Sequence, residues 1–548
     1  MPVKVLLIGL DGGTFSVLDP MVSHGVMPFL GRFLAEGVRA SLRTIVPPLT
    51  PPAWTSLATG RTPGHHGVFD FFRMDSPETR HIRFSSARDI RVPTLWDAAT
   101  AAGLRVTALN YCLTFPPPKV AGFVVPGWVP WRQLRLACHP PDLFDRLKAL
   151  PGLDARELAM DTKFEERATE GCSNPHEYAP WIERHTRREG HWFEVFRHLT
   201  ETAPSELTAV VFDGVDKLQH LCWPFVAAEP GAEWDEPWQA RAHALCLDYF
   251  RRLDGLIERM CAMVGEEALV VLASDHGFGP TRQVFHLNAW LAERGYLAWS
   301  DEAPARTGES QAVLGVGQVA RHTFLMDWER TRAFATTPTS NGIYIVRAGG
   351  GGRGVTDAEY HAFRQRLVDE LRAEKDPGTG EPLVARIDTR EEAFAGPLSA
   401  LAPDLSLTLA DGGLVSILPS DRIVTPRAMV AGSHRPLGVF MARSKALRRG
   451  VDVGELSILD VAPLVLHGLG LAVPAELEGR VPEEAFASGV LARWPVRVGG
   501  RSEMAERAEI DVPDRAEEPP SSAAYAPALG PAEEEAVMKR LQELGYIE

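Results

Sequence analysis

The chain has 548 residues, 45% hydrophobic and 24% charged, an ordinary globular composition that excludes wholesale disorder. Its length suits a large α/β domain carrying insertions. With 57 Lys and Arg against 72 Asp and Glu, the formal net charge is -15, so there is no general pull toward nucleic acid or anionic lipid. A phosphate-bearing substrate then needs a local positive site, which bound metal cations can supply.

The N-terminus runs from Met1 straight into Val5-Leu6-Leu7-Ile8, too short a run for a secretory signal and followed by a Gly/Asp turn. No stretch has the length of a transmembrane helix. Val3 to Leu10 reads as a buried parallel strand that ends at Asp11-Gly12-Gly13. Thr50 then stands in a Pro-braced loop, Pro47-Pro48-Leu49-Thr50-Pro51-Pro52, ahead of a helix of small residues. A hydroxyl there sits at a helix N-terminus, where main-chain N–H groups favour a phosphate anion, although Thr50, Thr55 or Ser56 could equally serve as a helix cap.

A helical pattern over Thr94 to Ala102 leads to a strand over Arg105 to Tyr111. Residues 127–202 are rich in Trp, His, Arg and Glu and are expected to form an inserted helical cap. Its tryptophans Trp128, Trp131, Trp181 and Trp192 could line a pocket, but a Trp is more often packing. Leu207 to Phe212 is the next strand, followed by Asp216 and His220 at helical i, i+4 spacing. Alone, such a pair is more often a surface ion pair. Helix Ala242 to Met263 precedes strand Ala268 to Ala273, which closes on Asp275-His276-Gly277. Buried strands alternating with helices predict an α/β fold, a mostly parallel sheet sandwiched by helices, with function at the carboxyl ends of the strands.

Farther on, residues 300–339 are expected as an irregular insertion, and His434 lies in a Gly/Pro-flanked stretch read as a loop. Beyond Trp494 the chain turns Pro/Ala/Glu-rich, a flexible linker ending in an amphipathic helix over Pro531 to Leu544. The organisation expected is thus core α/β segments at 1–126, 203–299 and 340–493, the cap at 127–202, the insertion at 300–339 and the linker with its helix at 494–548. The six cysteines form no C-x-x-C pair and read as free thiols in a reducing cytoplasm.

Asp11, Asp216, His220, Asp275, His276 and His434 together offer the ligands that two divalent metals with mixed carboxylate and imidazole donors require. Zinc leads, with manganese as the alternative. At this point the chain resembles a known family. LLIGLDGG, LTPPAWTSLATGRTPGHHGVFDF, DGVDKLQHLCW, VVLASDHGFGP, AGSHRPLGVFMA and SILDVAPLVLHGLGLAVPAELEGR, in that order, resemble the alkaline phosphatase superfamily in its type I phosphodiesterase/nucleotide pyrophosphatase branch.

The resemblance implies that Asp11, Asp275 and His276 hold one metal and Asp216, His220 and His434 the other, with Thr50 as nucleophile. It implies an alkaline-phosphatase-like fold and hydrolysis of a small phosphate ester through a phospho-threonine intermediate. One position departs: where nucleotide pyrophosphatases carry an Asn that holds phosphoryl oxygens, this chain has Phe71, which puts nucleotide pyrophosphatase activity itself in question. Arg61, His65 and Arg435 are candidates to replace that contact. A phosphomonoesterase, a transferase of phosphate-bearing groups and a catalytically silent scaffold share the same sequence features; metal content separates the last from the others. Neither nucleic acid nor membrane is expected as a partner, and the oligomeric state is open.

Overall fold

The computed structural model describes residues 3–74, 82–161, 175–301, 322–348 and 354–499. The chain divides into two units, Met1–Glu506 and Arg507–Glu548, and the second lies outside the described residues, as does the helix expected over Pro531 to Leu544.

Ten strands matter for the site: β1 (Val5–Leu10), β2 (Val38–Arg43), β3 (Val106–Leu109), β4 (Gly122–Val125), β5 (Leu207–Phe212), β6 (Leu269–Ala273), β7 (Gly277–His286), β8 (Val424–Arg435), β9 (Leu437–Arg443) and β10 (Val451–Ser457). Eight of them form the central sheet in the order β10-β2-β9-β6-β1-β5-β3-β4. All its neighbours pair in parallel except around β9, which runs antiparallel to both β2 and β6. β1, β5 and β6 are buried along their whole length, which is why they read as continuous apolar runs and not as alternating ones.

Helices cover both faces. One face packs on α2 (Tyr178–Thr202), α3 (Gly214–Val226) and α4 (Pro237–Val264), with Trp181, Trp192, Phe212 and Phe250 fully buried between them. The long helix of the segment expected as a cap therefore belongs to this layer. Trp181 and Trp192 pack, as their size favours, while Trp128 and Trp131 are half-buried. On the other face lie α1 (Thr50–Thr59) and α5 (Val461–Gly468).

A second core stands apart. Strands Ala333–Phe334, Gly342–Ile345, Leu405–Leu409 and Val384–Thr389 form an antiparallel sheet with helix Asp357–Ala373 against it. It takes up the described end of the expected insertion, whose residues 302–321 lie outside the described set. Among the described residues no helix is long and apolar enough to cross a membrane.

Candidate active site

Three neighbouring strands, β6, β1 and β5, end side by side, and each hands the chain to an aspartate: Asp275, Asp11 and Asp213. Gly12 takes φ +66°, a left-handed turn that L side chains resist, and its N–H donates to Asp275 Oδ1 at 3.1 Å. After β5, α3 opens at Gly214, so Asp216 and His220 lie one turn apart on one face, with His220 Nε2 3.3 Å from Asp216 Oδ1.

His434 is not in a loop. It lies in β8, paired antiparallel to β7 with His434 opposite Phe278. The Gly432 that suggested a turn instead lets the strand approach α3: a Cβ there would stand 2.2 Å from the Gln219 carbonyl oxygen. This strand position stacks the His434 ring on His276, with centroids 3.6 Å apart.

All six residues converge. One triplet comprises Asp11, Asp275 and His276, and another Asp216, His276 and His434, each with ligand atoms within 4.8 Å of one another. His220 joins the second: its Nε2 is 3.0 Å from His434 Nε2, which itself lies 3.4 Å from Asp216 Oδ1. His276 thus stands between the two groups, although the family resemblance puts it with Asp11 and Asp275 alone.

The donor set fits cations. Each imidazole turns Nδ1 to a main-chain carbonyl, His220 to Gly432 at 3.2 Å, His434 to Pro48 at 2.8 Å and His276 to Gly277 at 3.1 Å. A ring that donates from Nδ1 presents a lone pair at Nε2. Lone pairs and carboxylate oxygens therefore face one another, and Asp11 Oδ1 and Oδ2, Asp216 Oδ1 and Asp275 Oδ2 are buried with no hydrogen-bond partner. Acceptors so placed repel unless a cation lies among them. Burial, then the charges of Asp275 and Asp216, drives the Asp11 carboxyl well above its ordinary value, and burial does the same to Asp275. For Asp216 burial acts upward too, but His220 overrides it and holds the carboxyl well down. Burial, then the neighbouring His434, drives His276 well down, keeping the ring neutral.

Thr50 completes the arrangement as the first residue of α1. Pro51 and Pro52 follow it in the first turn, where their missing N–H groups break no helical bond. The Thr50 Oγ1 lies 3.2 Å from His276 Nε2. Its rivals are turned away: Thr55 Oγ1 donates to the Pro51 carbonyl at 2.7 Å, and Ser56 Oγ bonds His66 Nε2 at 2.9 Å. His66 accepts from the Val68 N–H through Nδ1, and burial lowers its pKa to about 3, so it acts as a neutral brace between α1 and the next loop. Gly9 lets α1 lie on the sheet, since a Cβ there would stand 2.5 Å from the Trp54 ring.

The three candidates for a phosphate contact are engaged elsewhere. Arg61 and His65 both meet Glu478, at 3.3 and 3.2 Å. The Arg435 guanidinium is sunk among main-chain carbonyls, including Gly412 at 2.9 Å and Asp411 at 2.9 Å. Phe71 lies against Trp128, with ring centroids 5.3 Å apart. Behind the site, Arg188 forks onto Asp213 at 2.5 and 2.7 Å, and Asn110 adds a bond to Asp213 at 3.1 Å. Sequence reasoning passed over Asp213 and Lys217, which flank Asp216; a strand ending on Asp and a Lys beside a ligand were the available signals.

A family model for type I phosphodiesterase / nucleotide pyrophosphatase matches residues 5–421. Among solved structures, murine ectonucleotide pyrophosphatase / phosphodiesterase 5 is 14% identical, with 86% of this chain and 95% of that chain covered and a TM-score of 0.48. Phosphonoacetate hydrolase from Sinorhizobium meliloti 1021, in complex with phosphonoformate, is 17% identical, with 85% and 96% covered and a TM-score of 0.47.

Proposed function

Since the chain belongs to the type I phosphodiesterase / nucleotide pyrophosphatase family and is a phosphoric ester hydrolase, we propose that it cleaves phosphodiesters through a covalent intermediate on Thr50. The observation that carries this is the Thr50 hydroxyl beside His276, at the edge of two groups of converging, unpartnered acceptors. Asp11, Asp275 and His276 would hold one divalent cation, and Asp216, His220 and His434 the other. Carboxylate and imidazole donors without thiolate suit zinc, with manganese second. Bound cations supply Lewis acidity, favouring the ionised hydroxyl and neutralising phosphate oxygens.

The residues of the chain do the rest. α1 carries the Thr50 oxygen at its first position, where Pro51 and Pro52 follow and offer no N–H. The Oγ–P bond forms as the bond to the first alcohol breaks; the hydroxyl proton is released and the departing alkoxide takes one up. The phosphoryl group, still bearing its second ester substituent, then rests on Thr50 until water cleaves the Oγ–P bond. The five described cysteines are buried free thiols, which supports a reducing, cytoplasmic setting.

The test compares bis-p-nitrophenyl phosphate with p-nitrophenyl phosphate, with metal content measured on wild type and Thr50→Ala. The diester is expected to react faster, metal to be near two per chain in both proteins, and Thr50→Ala to be inactive. Full activity in Thr50→Ala would sink the nucleophile, and absence of metal would sink the site.

A further inference from the structure

A carboxyl group from α2 braces the start of the helix that carries Asp216 and His220. Glu189 is buried, and its Oε1 accepts from the Gly214 N–H, the first of α3, at 2.8 Å. The same oxygen accepts from the Tyr249 hydroxyl of α4 at 3.0 Å, so three helices meet on it. The fit is close: a Cβ at Gly214 would stand 2.5 Å from Glu189 Oε1 and 2.7 Å from the Tyr249 oxygen. Asp216 lies in that first turn of α3 and His220 one turn beyond, so a shift of the turn is carried to both.

Glu189 shares this place with Asp213, and Arg188 is committed to Asp213. Its Nη1 donates to both Asp213 oxygens, its Nε to the Glu157 carbonyl at 3.0 Å and its Nη2 to Asn110 Oδ1 at 3.3 Å. Lys217 and His185 act with Arg188 on Asp213. Glu189 makes no ion pair among the described residues, and its Oε2 is buried without a hydrogen bond. Burial, and then the charge of Asp213, outweigh the pull of Arg188 and of the two donors and raise the Glu189 carboxyl to about 8. A neutral acid meets the geometry: its carbonyl oxygen accepts both bonds, and the other oxygen keeps the proton. Resting on the reading of the site above, we propose that Glu189 is a positioning residue for the reaction. As a neutral carboxylic acid it pins the first turn of α3 against α4, and so fixes Asp216 and His220 where a cation needs them. Ionisation sets a second carboxylate beside Asp213, and moving the Gly214 turn relieves the repulsion.

The experiment compares wild type, Glu189→Gln and Glu189→Leu as zinc-loaded full chains. It measures kcat and KM for bis-p-nitrophenyl phosphate from about pH 6 to about pH 10, with zinc content and melting midpoints. Gln reproduces the neutral acid, since its oxygen accepts both bonds and its amide replaces the protonated oxygen. Glu189→Gln should keep kcat within about two-fold at pH 7 and hold it above about pH 8, where wild type declines. Glu189→Leu accepts neither bond and should lose about ten- to a hundred-fold, chiefly in kcat. A raised acid loses stability as pH climbs from its unfolded value, about 4.5, through its folded one, about 8. The wild-type midpoint should therefore fall relative to Glu189→Gln over that range and run parallel to it above. A decline above about pH 8 shared by wild type and Glu189→Gln, or midpoints parallel throughout, would overturn the assignment. So would a folded Glu189→Gln that has lost about ten-fold or more at pH 7, or a Glu189→Leu as fast as wild type. Should Glu189→Leu fail to fold, the Glu189→Gln comparison carries the test alone. If wild type takes up no zinc or leaves the diester uncut, the site reading itself has failed and this inference falls with it; in an active wild type, the contrary outcomes sink this inference alone.

Discussion

Replacing Arg188 by Met should destabilise the protein far more than removing a surface charge. Arg188 and Asp213 are both buried to within 4% of full exclusion, and the guanidinium reaches both carboxylate oxygens, at 2.5 and 2.7 Å. Burial pushes the Asp213 carboxyl up, and Arg188 overrides it and holds the group below its ordinary value. Without the arginine, the buried carboxylate keeps the Asn110 bond and the weaker charge interactions with Lys217 and His185, a loss of about 3–5 kcal/mol for a broken buried pair. With about 2.1 cal/mol/K of unfolding entropy per residue over 548 residues, about 4 kcal/mol lowers the thermal midpoint by about 3–4 °C. Asp213 directly precedes α3, so zinc affinity should fall too, through Asp216 and His220. Calorimetry with and without zinc reads both effects, and Arg188→Met/Asp213→Leu should recover much of the midpoint by removing the stranded charge. An Arg188→Met midpoint within 1 °C of wild type at pH 7, with unchanged zinc affinity, would show that the buried pair supports neither the fold nor the site.

Four further outcomes are expected. Burial opposes ionisation of Glu478, but its bonds from His65 and Thr62 prevail and hold the carboxyl at about 2; a depressed acid contributes stability above its unfolded pKa. The advantage of wild type over Glu478→Gln, about 1–2 kcal/mol by denaturant titration near neutral pH, should therefore shrink as pH falls from about 4.5 through 2. Gly9→Ala should destabilise by about 1–3 kcal/mol and slow turnover together, because its Cβ drives into Trp54 and tilts α1; stopped-assay kinetics and melting curves check both. Thr55→Val should keep most of its turnover, since that hydroxyl only serves a main-chain carbonyl. Chelation should lower the melting midpoint, because the facing acceptors of Asp11, Asp216 and Asp275 lose their neutralising cations; readdition of zinc should restore it.

The core of the fold was legible because β1, β5 and β6 are buried on both faces and end in aspartates, a local signal. Thr50 and His276 meet across 226 residues of chain, and in the sequence only the family resemblance puts them in one site. His434 was misread because Gly432 signals a turn as readily as a close packing contact, and the Gln219 carbonyl that decides between them is distant in sequence. Arg61 and His65 looked available for the same reason: Glu478, which engages them, lies more than 400 positions away. In 127–202 the helical spacing of Trp181 and Trp192 was visible, but periodicity does not say which surface receives a helix, and here it is the main sheet layer. The second core rests on antiparallel pairing of short strands, which leaves little periodic trace.

The proposed mechanism turns on a covalent intermediate on Thr50. Acid-quenching the zinc-loaded enzyme during turnover of bis-p-nitrophenyl phosphate, followed by peptide mass spectrometry, tests it directly. A p-nitrophenyl phosphoryl adduct is expected on Thr50 in wild type and none in Thr50→Ala. Steady turnover with the adduct on another residue, or in a Thr50→Ala protein as active as wild type, would contradict it.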